Sequence, residues 1–391
     1  MPLPFERSEY EGRIARTKAA MAKAGVDVLL VVDPANMNYL TGYNAWSFYT
    51  PQTVVIAEGL DEPLCIVRGM DARGARETTF LSPKSIIGFP DHYVQSLERH
   101  AMDYVAKMLE ERGLANKRTG LELDTFYFSP TAAERLKMHM PNATFSDANL
   151  LVNWVRAVKS PAEIHVMTQA ARIMEKTMRV AIDMIEPGVR QCDVAAAIYQ
   201  AQVSGLPEFG GDYTAFVPML PTGRGTSTPH LTWTDEPFKT GEATILELAA
   251  ARHRYHCPLA RTLFLGKAPQ VMLDTEAVVQ EGLQAALDSV KPGVTCEEVE
   301  AAWRKSIAKS GLVKESRIGY SIGCNYPPDW GEHTMSLRPN DKTVLQENMT
   351  LHCIPGIWMD DWGMEISESF RVTAKGHETL AKFPRQLVVK N

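Results

Sequence analysis

EPGVRQCDVAAAIYQAQVSGL, residues 186–206, returns in altered form as KPGVTCEEVEAAWRKSIAKSGL, residues 291–312. Both copies carry Pro-Gly-Val, an acidic residue six positions after the proline (Asp193, Glu298) and then Val-x-Ala-Ala, and both end in Gly-Leu. A Pro-Gly step stops one helix and lets another begin, so each copy reads as helix, turn, helix. Each follows a long amphipathic segment and precedes a β-rich stretch. Helix-turn-helix chemistry is common and could match by coincidence, but the length of the match favours a duplicated α/β unit. Two such units facing each other imply a curved sheet covered by helices, with a cleft between the halves.

Between the copies lies ATILELAAARHRYHCPLARTLFLG, residues 243–266, which reads as a β-hairpin. Upstream, RAVKSPAEIHVM (156–167) marks a seam. Ser160 suits a helix N-cap, Pro161 the first helical position, and Glu163 lies three residues after the cap, so a long helix is expected from there to about Ile185. Before the seam, Ser8 and Glu11 have the spacing of a capping box, and Gly25 stops the helix they open. VDVLLVV (26–32) reads as a buried strand, and DPANMNYLTGYNAWSFYTPQ (33–52) as loop-rich and aromatic. Strands near 52–57 and 63–67, a helix near 94–112 and a short strand at GLELD (120–124) complete an α/β domain over 1–155, with a second domain over 160–391.

A length of 391 residues fits two domains, and 45% hydrophobic with 23% charged residues fits a globular protein. A net charge of −6, without a Lys/Arg block, gives a nucleic-acid partner little support. The charged, amphipathic N-terminus has neither a signal-peptide core nor a membrane span. Six cysteines, at 65, 192, 257, 296, 324 and 353, form no Cys-x-x-Cys pair. That pattern points to reduced thiols in the cytoplasm and away from a zinc cage.

KSPAEIHVM, the two PGV turns, TPHL (228–231), the ILELA…ARTLF hairpin, GYSIG (319–323) and CIPGIW (353–358) resemble the creatinase/aminopeptidase P/prolidase superfamily. The resemblance covers nearly the whole chain and implies a creatinase-type N-terminal α/β domain followed by a pita-bread catalytic domain of duplicated α/β halves. Within the superfamily, residues 33–52, PDHYVQS (90–96), GYSIG, YPPDWGEH (326–333) and EISESFRVT (365–373) look most like the ectoine hydrolases, which open the ring of a cyclic amidine.

The metallopeptidase members hold two metal ions with Asp, Asp, His, Glu and Glu. Matched one by one, these positions fall on Glu247, Pro258, Tyr320, Ile354 and the vicinity of Ser367, which lies between Glu365 and Glu368. Proline and isoleucine side chains cannot ligate a hard divalent ion, so the resemblance implies no metal and no other cofactor. The superfamily acid/base histidine falls on His230. Creatinase has also lost its metals and kept this histidine, but its substrate-holding glutamate is replaced here by Ala260.

A metal-free Glu and His suit an electrophilic substrate carbon flanked by two nitrogens that share a positive charge. On this reading Glu247 is the nucleophile or a general base, ionised at neutral pH if its pKa lies at the ordinary value of about 4.3. The bland alternative is an ion pair between Glu247 and Arg252 or Arg254. His230 is the proton-transfer residue, since imidazole titrates near neutrality, and His333 is a second candidate. His253 and His256 read as structural. Aromatic faces hold delocalised cations, which nominates Phe209, Tyr213, Trp330, Trp358 and, in the N-terminal loop, Trp46. Tyr320 takes a metal-ligand position and should face the same cavity, with Glu365 and Asp212 as partners for amidinium N–H groups. Arg338 and Arg261 are both options for the substrate carboxylate, and Arg261 could equally be a partner within the sheet. The resemblance further implies ectoine as substrate (hydroxyectoine is a second option), a homodimer and a downstream deacetylase as pathway neighbour. A hydrolase of another amidine or guanidine, a metal-dependent Xaa-Pro peptidase and a non-catalytic scaffold are the competing readings.

Overall fold

The computed structural model describes residues 3–391 and divides the chain into two compact units, Met1–Arg156 and Ala157–Asn391. In the first, helices α1 (Arg7–Ala24), α2 (Pro34–Thr41), α3 (Asp71–Thr78), α4 (Ala101–Glu110), α5 (Pro130–His139) and α6 (Leu151–Val155) accompany one sheet. Its strands are β1 (Val28–Val31), β2 (Thr53–Ala57), β3 (Leu64–Arg68), β4 (Ile86–Phe89), β5 (Arg118–Leu121) and β6 (Thr144–Asp147), in the order β4-β3-β2-β1-β5-β6. Alternate residues of a strand face opposite sides. Val28 and Leu30 therefore enter one apolar cluster with Val55 and Ile66, while Leu29 and Val31 enter another with Val54 and Cys65. A sheet buried on both faces explains why its central strands read as continuous apolar runs.

Three local readings change here. Segment 33–52 contains α2, capped by the Asp33 carboxylate, which accepts from the Ala35 and Asn36 backbone N–H groups. Helix α1 begins at Arg7, so Ser8 lies inside its first turn and caps nothing, and Glu11 pairs with Arg7 at 2.8 Å. The helix expected near 94–112 is confined to α4, where a capping box between His100 and Asp103 sets its start.

In the second unit, α7 (Pro161–Met184) opens with the capping box of Ser160 and Glu163 and is followed by α8 (Gln191–Ser204). The hairpin of β7 (Ala243–Arg252) and β8 (Tyr255–Leu265) turns at His253 and Arg254, whose φ values of 49° and 70° make a tight two-residue connection. Next come α9 (Gln270–Ser289), α10 (Cys296–Ile307), β9 (Gly319–Ile322), β10 (Gly331–Leu337), β11 (Thr350–Cys353), β12 (Ile357–Trp358), β13 (Gly363–Met364), β14 (Glu368–Val372), β15 (His377–Thr379) and β16 (Val388–Lys390). Five of these strands form the sheet β10-β9-β11-β14-β15, and β16 runs parallel to β8.

The repeated sequence corresponds to repeated structure. α7 and α8 are joined through Gly188 at φ 90°, and α9 and α10 through Gly293 at φ 91°, a left-handed conformation that glycine adopts without Cβ strain. The caps have diverged. Thr295 and Glu298 make a full capping box, whereas Asp193 pairs with Arg190 at 2.7 Å. Hydroxyls stitch β8 to residues 365–369: Ser367 Oγ accepts from Ala260 N at 2.7 Å, Ser369 Oγ donates to Pro258 O at 2.6 Å, and Thr262 Oγ1 bonds both backbone groups of Glu365. That seam presents Glu247, Tyr320 and Glu365 to one cavity. Among the described residues no helix is long and apolar enough to cross a membrane.

Candidate active site

Glu247 sits in the middle of β7, tied to Met219 by two backbone hydrogen bonds of 3.1 Å. Its side chain is 7% exposed, and its carboxylate has no hydrogen bond or ion pair among the described residues. Neither arginine proposed as its neutraliser serves: Arg252 donates to the Gly210 carbonyl at 3.0 Å, and Arg254 pairs with Asp212 at 3.2 Å. Burial, reinforced by the nearby charges of Glu365 and Asp329, raises the Glu247 pKa well above the usual carboxylate range. The Glu247 pKa is thus not the ordinary carboxylate value expected from the sequence. A cation bound beside it would shift the balance back toward the charged form.

Glu247 opens on a cavity of about 360 Å³ lined also by Phe216, Pro229, His230, Lys314, Ser316, Arg317, Tyr320, Asp329, Ile354, Trp358 and Glu365. One part of this wall is acidic and another basic. Lys314 Nζ donates to Gly356 O at 2.9 Å and lies 4.4 Å from the centre of the Trp358 ring. Burial brings the Lys314 pKa down to about 8, against the pull of Glu365. Burial likewise pushes Glu365 up to about 7, with Lys314 opposing. Two buried polar atoms here lack a hydrogen-bond partner among the described residues: Glu365 Oε2, an acceptor, and Trp358 Nε1, a donor. Such atoms call for a ligand or solvent partner.

Of the residues singled out from sequence, Glu247, His230, Tyr320, Trp358 and Glu365 line this one cavity. His230 is exposed there and has a left-handed backbone at φ 67°. Trp330 is fully buried behind the wall, where its Nε1 donates to Tyr320 Oη at 2.7 Å and its ring meets Phe216 edge-on. His333 stands outside the lining and pairs through Nε2 with Asp329 Oδ2 at 2.8 Å. Phe209, Tyr213 and Asp212 are engaged elsewhere: Arg172 and Arg252 lie over the Phe209 ring, and Arg254 covers Tyr213 at 3.5 Å while pairing with Asp212. The cations those aromatic faces hold are the protein's own. Trp46 belongs to the first unit, is 58% exposed and packs at a tilt against Phe48.

Arg261 is a sheet partner: fully buried, it binds Glu368 at 2.9 Å and the carbonyls of Ala260, Ser367, Phe383 and Pro384. Arg338 is exposed and does not line the cavity. Sequence reasoning missed Phe216, Lys314, Arg317 and Asp329. Two of these had a visible signal: Asp329 lies inside YPPDWGEH, and Phe216 closes EFGGDYTAF (208–216), the stretch that holds Phe209 and Tyr213.

Of the five superfamily ligand positions, Pro258 and Ile354 offer no donor side chain; near the fifth, Ser367 Oγ is committed to Ala260 N and His352, Glu368 pairs with Arg261 at 2.9 Å, and Glu365 alone lines the cavity. Among the described residues no group of three His, Cys, Asp or Glu side chains is placed to hold a metal ion. The donor set does not fit a two-metal centre.

The chain matches the Creatinase/Prolidase N-terminal domain over residues 13–158 and metallopeptidase family M24 over residues 165–374. It is 46% identical to the ectoine hydrolase of Halomonas elongata, over 99% of both chains. It is 45% identical to an uncharacterised hydrolase/peptidase of Sinorhizobium fredii, over 100% of this chain and 99% of that one. Among solved structures, the prolidase of Pyrococcus horikoshii superposes with a TM-score of 0.80 at 23% identity, covering 96% of this chain and 100% of that one. That likeness establishes the fold, in which the donor positions have been rewritten. The chain therefore belongs to metallopeptidase family M24, with a creatinase/prolidase-type N-terminal domain and a pita-bread C-terminal domain.

Proposed function

We propose that this protein hydrolyses the cyclic amidine ectoine to N-acetyl-2,4-diaminobutyrate, without a metal ion. The observation that carries the reading is the bipolar cavity. Glu247, Glu365 and Asp329 face a site that Lys314 and Arg317 also line, with an orphaned acceptor at Glu365 and an orphaned donor at Trp358. A small zwitterion with an amidinium at one end and a carboxylate at the other matches both charges and both orphaned atoms. The 46% identity to an ectoine hydrolase supports that choice of zwitterion.

The amidinium would favour ionisation of Glu247 by pairing with it. The Glu247 carboxylate then attacks C2, forming a C–O bond, and the C2–N bond farther from the carboxylate-bearing carbon breaks. The departing nitrogen takes a proton, and the acetyl unit stays on the α nitrogen. Water attacks C2 in turn and releases Glu247. His230, exposed at the cavity, serves as the acid/base of the water step. Lys314 and Arg317 receive the substrate carboxylate, to which Trp358, its ring beside Lys314, offers its orphaned Nε1–H, and Glu365 pairs with the amidinium. A homodimer, a cytoplasmic location and a deacetylase that consumes the product belong to the same reading.

The test is ring opening. Chelator-treated protein is mixed with ectoine and the C2-methyl signal is followed by NMR. Loss of that signal with appearance of an N-acetyl signal is the expected outcome. No ring opening with or without added metal would end the proposal, and a requirement for Mn²⁺ or Zn²⁺ would restore metal-assisted hydrolysis.

A further inference from the structure

Tyr320, matched to a superfamily ligand position, and Ser367, beside another, are joined through a third residue, His352. His352 lies on β11, opposite Tyr320 of β9 in the antiparallel ladder. Its Nδ1 is 3.1 Å from Tyr320 Oη and its Nε2 is 2.7 Å from Ser367 Oγ. His352 and Ser367 are fully buried. Ser367 Oγ already accepts from Ala260 N at 2.7 Å, and Tyr320 Oη already accepts from Trp330 Nε1 at 2.7 Å.

The direction of this chain follows from counting hydrogens. The Ser367 hydroxyl has a hydrogen to donate, and among the described residues the acceptor within reach is His352 Nε2. If Nε2 carried the hydrogen instead, the buried Ser367 hydroxyl would be left without an acceptor, a costly arrangement. The imidazole is neutral, its pKa brought down to about 3 by burial and then by the Arg261 charge, so it has one hydrogen. That hydrogen is on Nδ1 and goes to Tyr320 Oη. Tyr320 Oη then accepts twice, from Trp330 and from His352, and its own hydrogen has no protein acceptor on that side. Tyr320 lines the cavity with Glu247. Burial and the Glu247 charge keep the phenol protonated.

We infer that Tyr320 is a catalytic proton donor to the departing ring nitrogen, and that His352, set by Ser367, is the positioning residue that turns the Tyr320 hydrogen into the cavity. The inference rests on the ring-opening reading and deepens it. As the C2–N bond breaks, its electron pair takes the Tyr320 proton. The phenolate left behind is held by the N–H groups of Trp330 and His352. In the second half-reaction His230, exposed at the cavity, removes a proton from the attacking water and returns it to Tyr320 through solvent. The protons balance: water supplies two, one restoring Tyr320 and the other, released as Glu247 departs and the amide carbonyl forms, converting the product amine to an ammonium.

Two measurements test this. First, ¹⁵N-edited NMR of the imidazole rings reads the His352 tautomer in the substrate-free wild-type protein, where an Nδ1–H ring is expected. An Nε2–H ring would overturn the inference, since Tyr320 would then give its hydrogen to His352. Second, ectoine turnover is compared across variants. Tyr320→Phe is expected to lower kcat about 100-fold with KM changed less than about 3-fold. His352→Leu should lower kcat at least about 10-fold, and His352→Asn, whose amide can donate from the Nδ1 position, should restore most of it. Tyr320→Phe at wild-type kcat, or a His352→Asn variant no better than His352→Leu when both are folded, would overturn the donor role. A wild-type protein inert toward ectoine would instead remove the ring-opening reading beneath it. An active wild type with an indifferent Tyr320→Phe removes the donor role alone.

Discussion

Glu247 occupies a ligand position and yet lies among groups that oppose its ionisation: burial first, then Glu365 and Asp329. A carboxylate kept for structure would be neutralised by an arginine, and the two nearby in sequence are occupied by Gly210 and Asp212. Glu247→Gln keeps the side-chain volume and removes the carboxylate proposed as nucleophile. It is expected to lower ectoine turnover by at least about 10³-fold without lowering Tm, read by NMR and by thermal unfolding. A Glu247→Gln enzyme that turns ectoine over at close to the wild-type rate would exclude covalent attack. Lys314 tests the other end of the cavity. Lys314→Met keeps the aliphatic stem against Trp358 but deletes the charge, so KM should rise about 10-fold or more while kcat changes less. The sequence located Glu247, His230 and Tyr320 because each falls in a matched motif. Lys314 and Arg317 sit in the connection before β9, without such a motif, and they join the cavity lining through a chain path that sequence spacing does not encode.

The elements that could be read from sequence are those whose ends are chemically marked. The Ser160–Glu163 box and the Thr295–Glu298 box both start helices where their spacing says, because each satisfies backbone N–H groups locally. Ser8 has the same spacing, but Arg7 and Glu11 make an i,i+4 pair that carries the helix past it. α2 was obscured by its aromatic neighbours even though Asp33 and Pro34 mark its start. Likewise Phe209 and Tyr213 sit beside matched motifs, but the hairpin turn at His253 and Arg254 sends arginines back over them, a contact that sequence spacing does not encode. Packing between elements is also invisible locally. In α9, Gly282 faces the buried Trp303 of α10, and a Cβ there would fall 2.5 Å from two ring carbons. Gly282→Ala gains about 1 kcal/mol in helix propensity but overpacks a fully buried indole, which costs about 1–3 kcal/mol. The clash should win, and urea unfolding should show a lower midpoint. A higher midpoint would mean that α9 and α10 can move apart freely.

For the molecule as a whole, the buried carboxyls of the cavity tie stability to pH. Glu365 has a folded pKa of about 7, above its unfolded value, because burial disfavours its charge more than Lys314 favours it. Glu247 is raised in the same direction, and the two carboxyls titrate as an interacting pair. For groups raised in this way, the contribution to stability is full below the unfolded carboxylate pKa and is lost as pH rises through the folded value. The protein without substrate should therefore lose stability between about pH 5 and pH 8 through these groups. Glu365→Gln removes one of them. Measured by calorimetry, its Tm should lie close to wild type at pH 5 and above wild type at pH 8, by an amount corresponding to roughly 1–3 kcal/mol. A cationic amidine in the cavity supplies the missing countercharge, so saturating ectoine should raise the wild-type Tm more at pH 8 than at pH 5, and should do so less in Glu365→Gln. An equal Tm difference between variant and wild type at both pH values would show that Glu365 is not a raised carboxyl, and the charge match between cavity and amidinium would lose one of its acidic members.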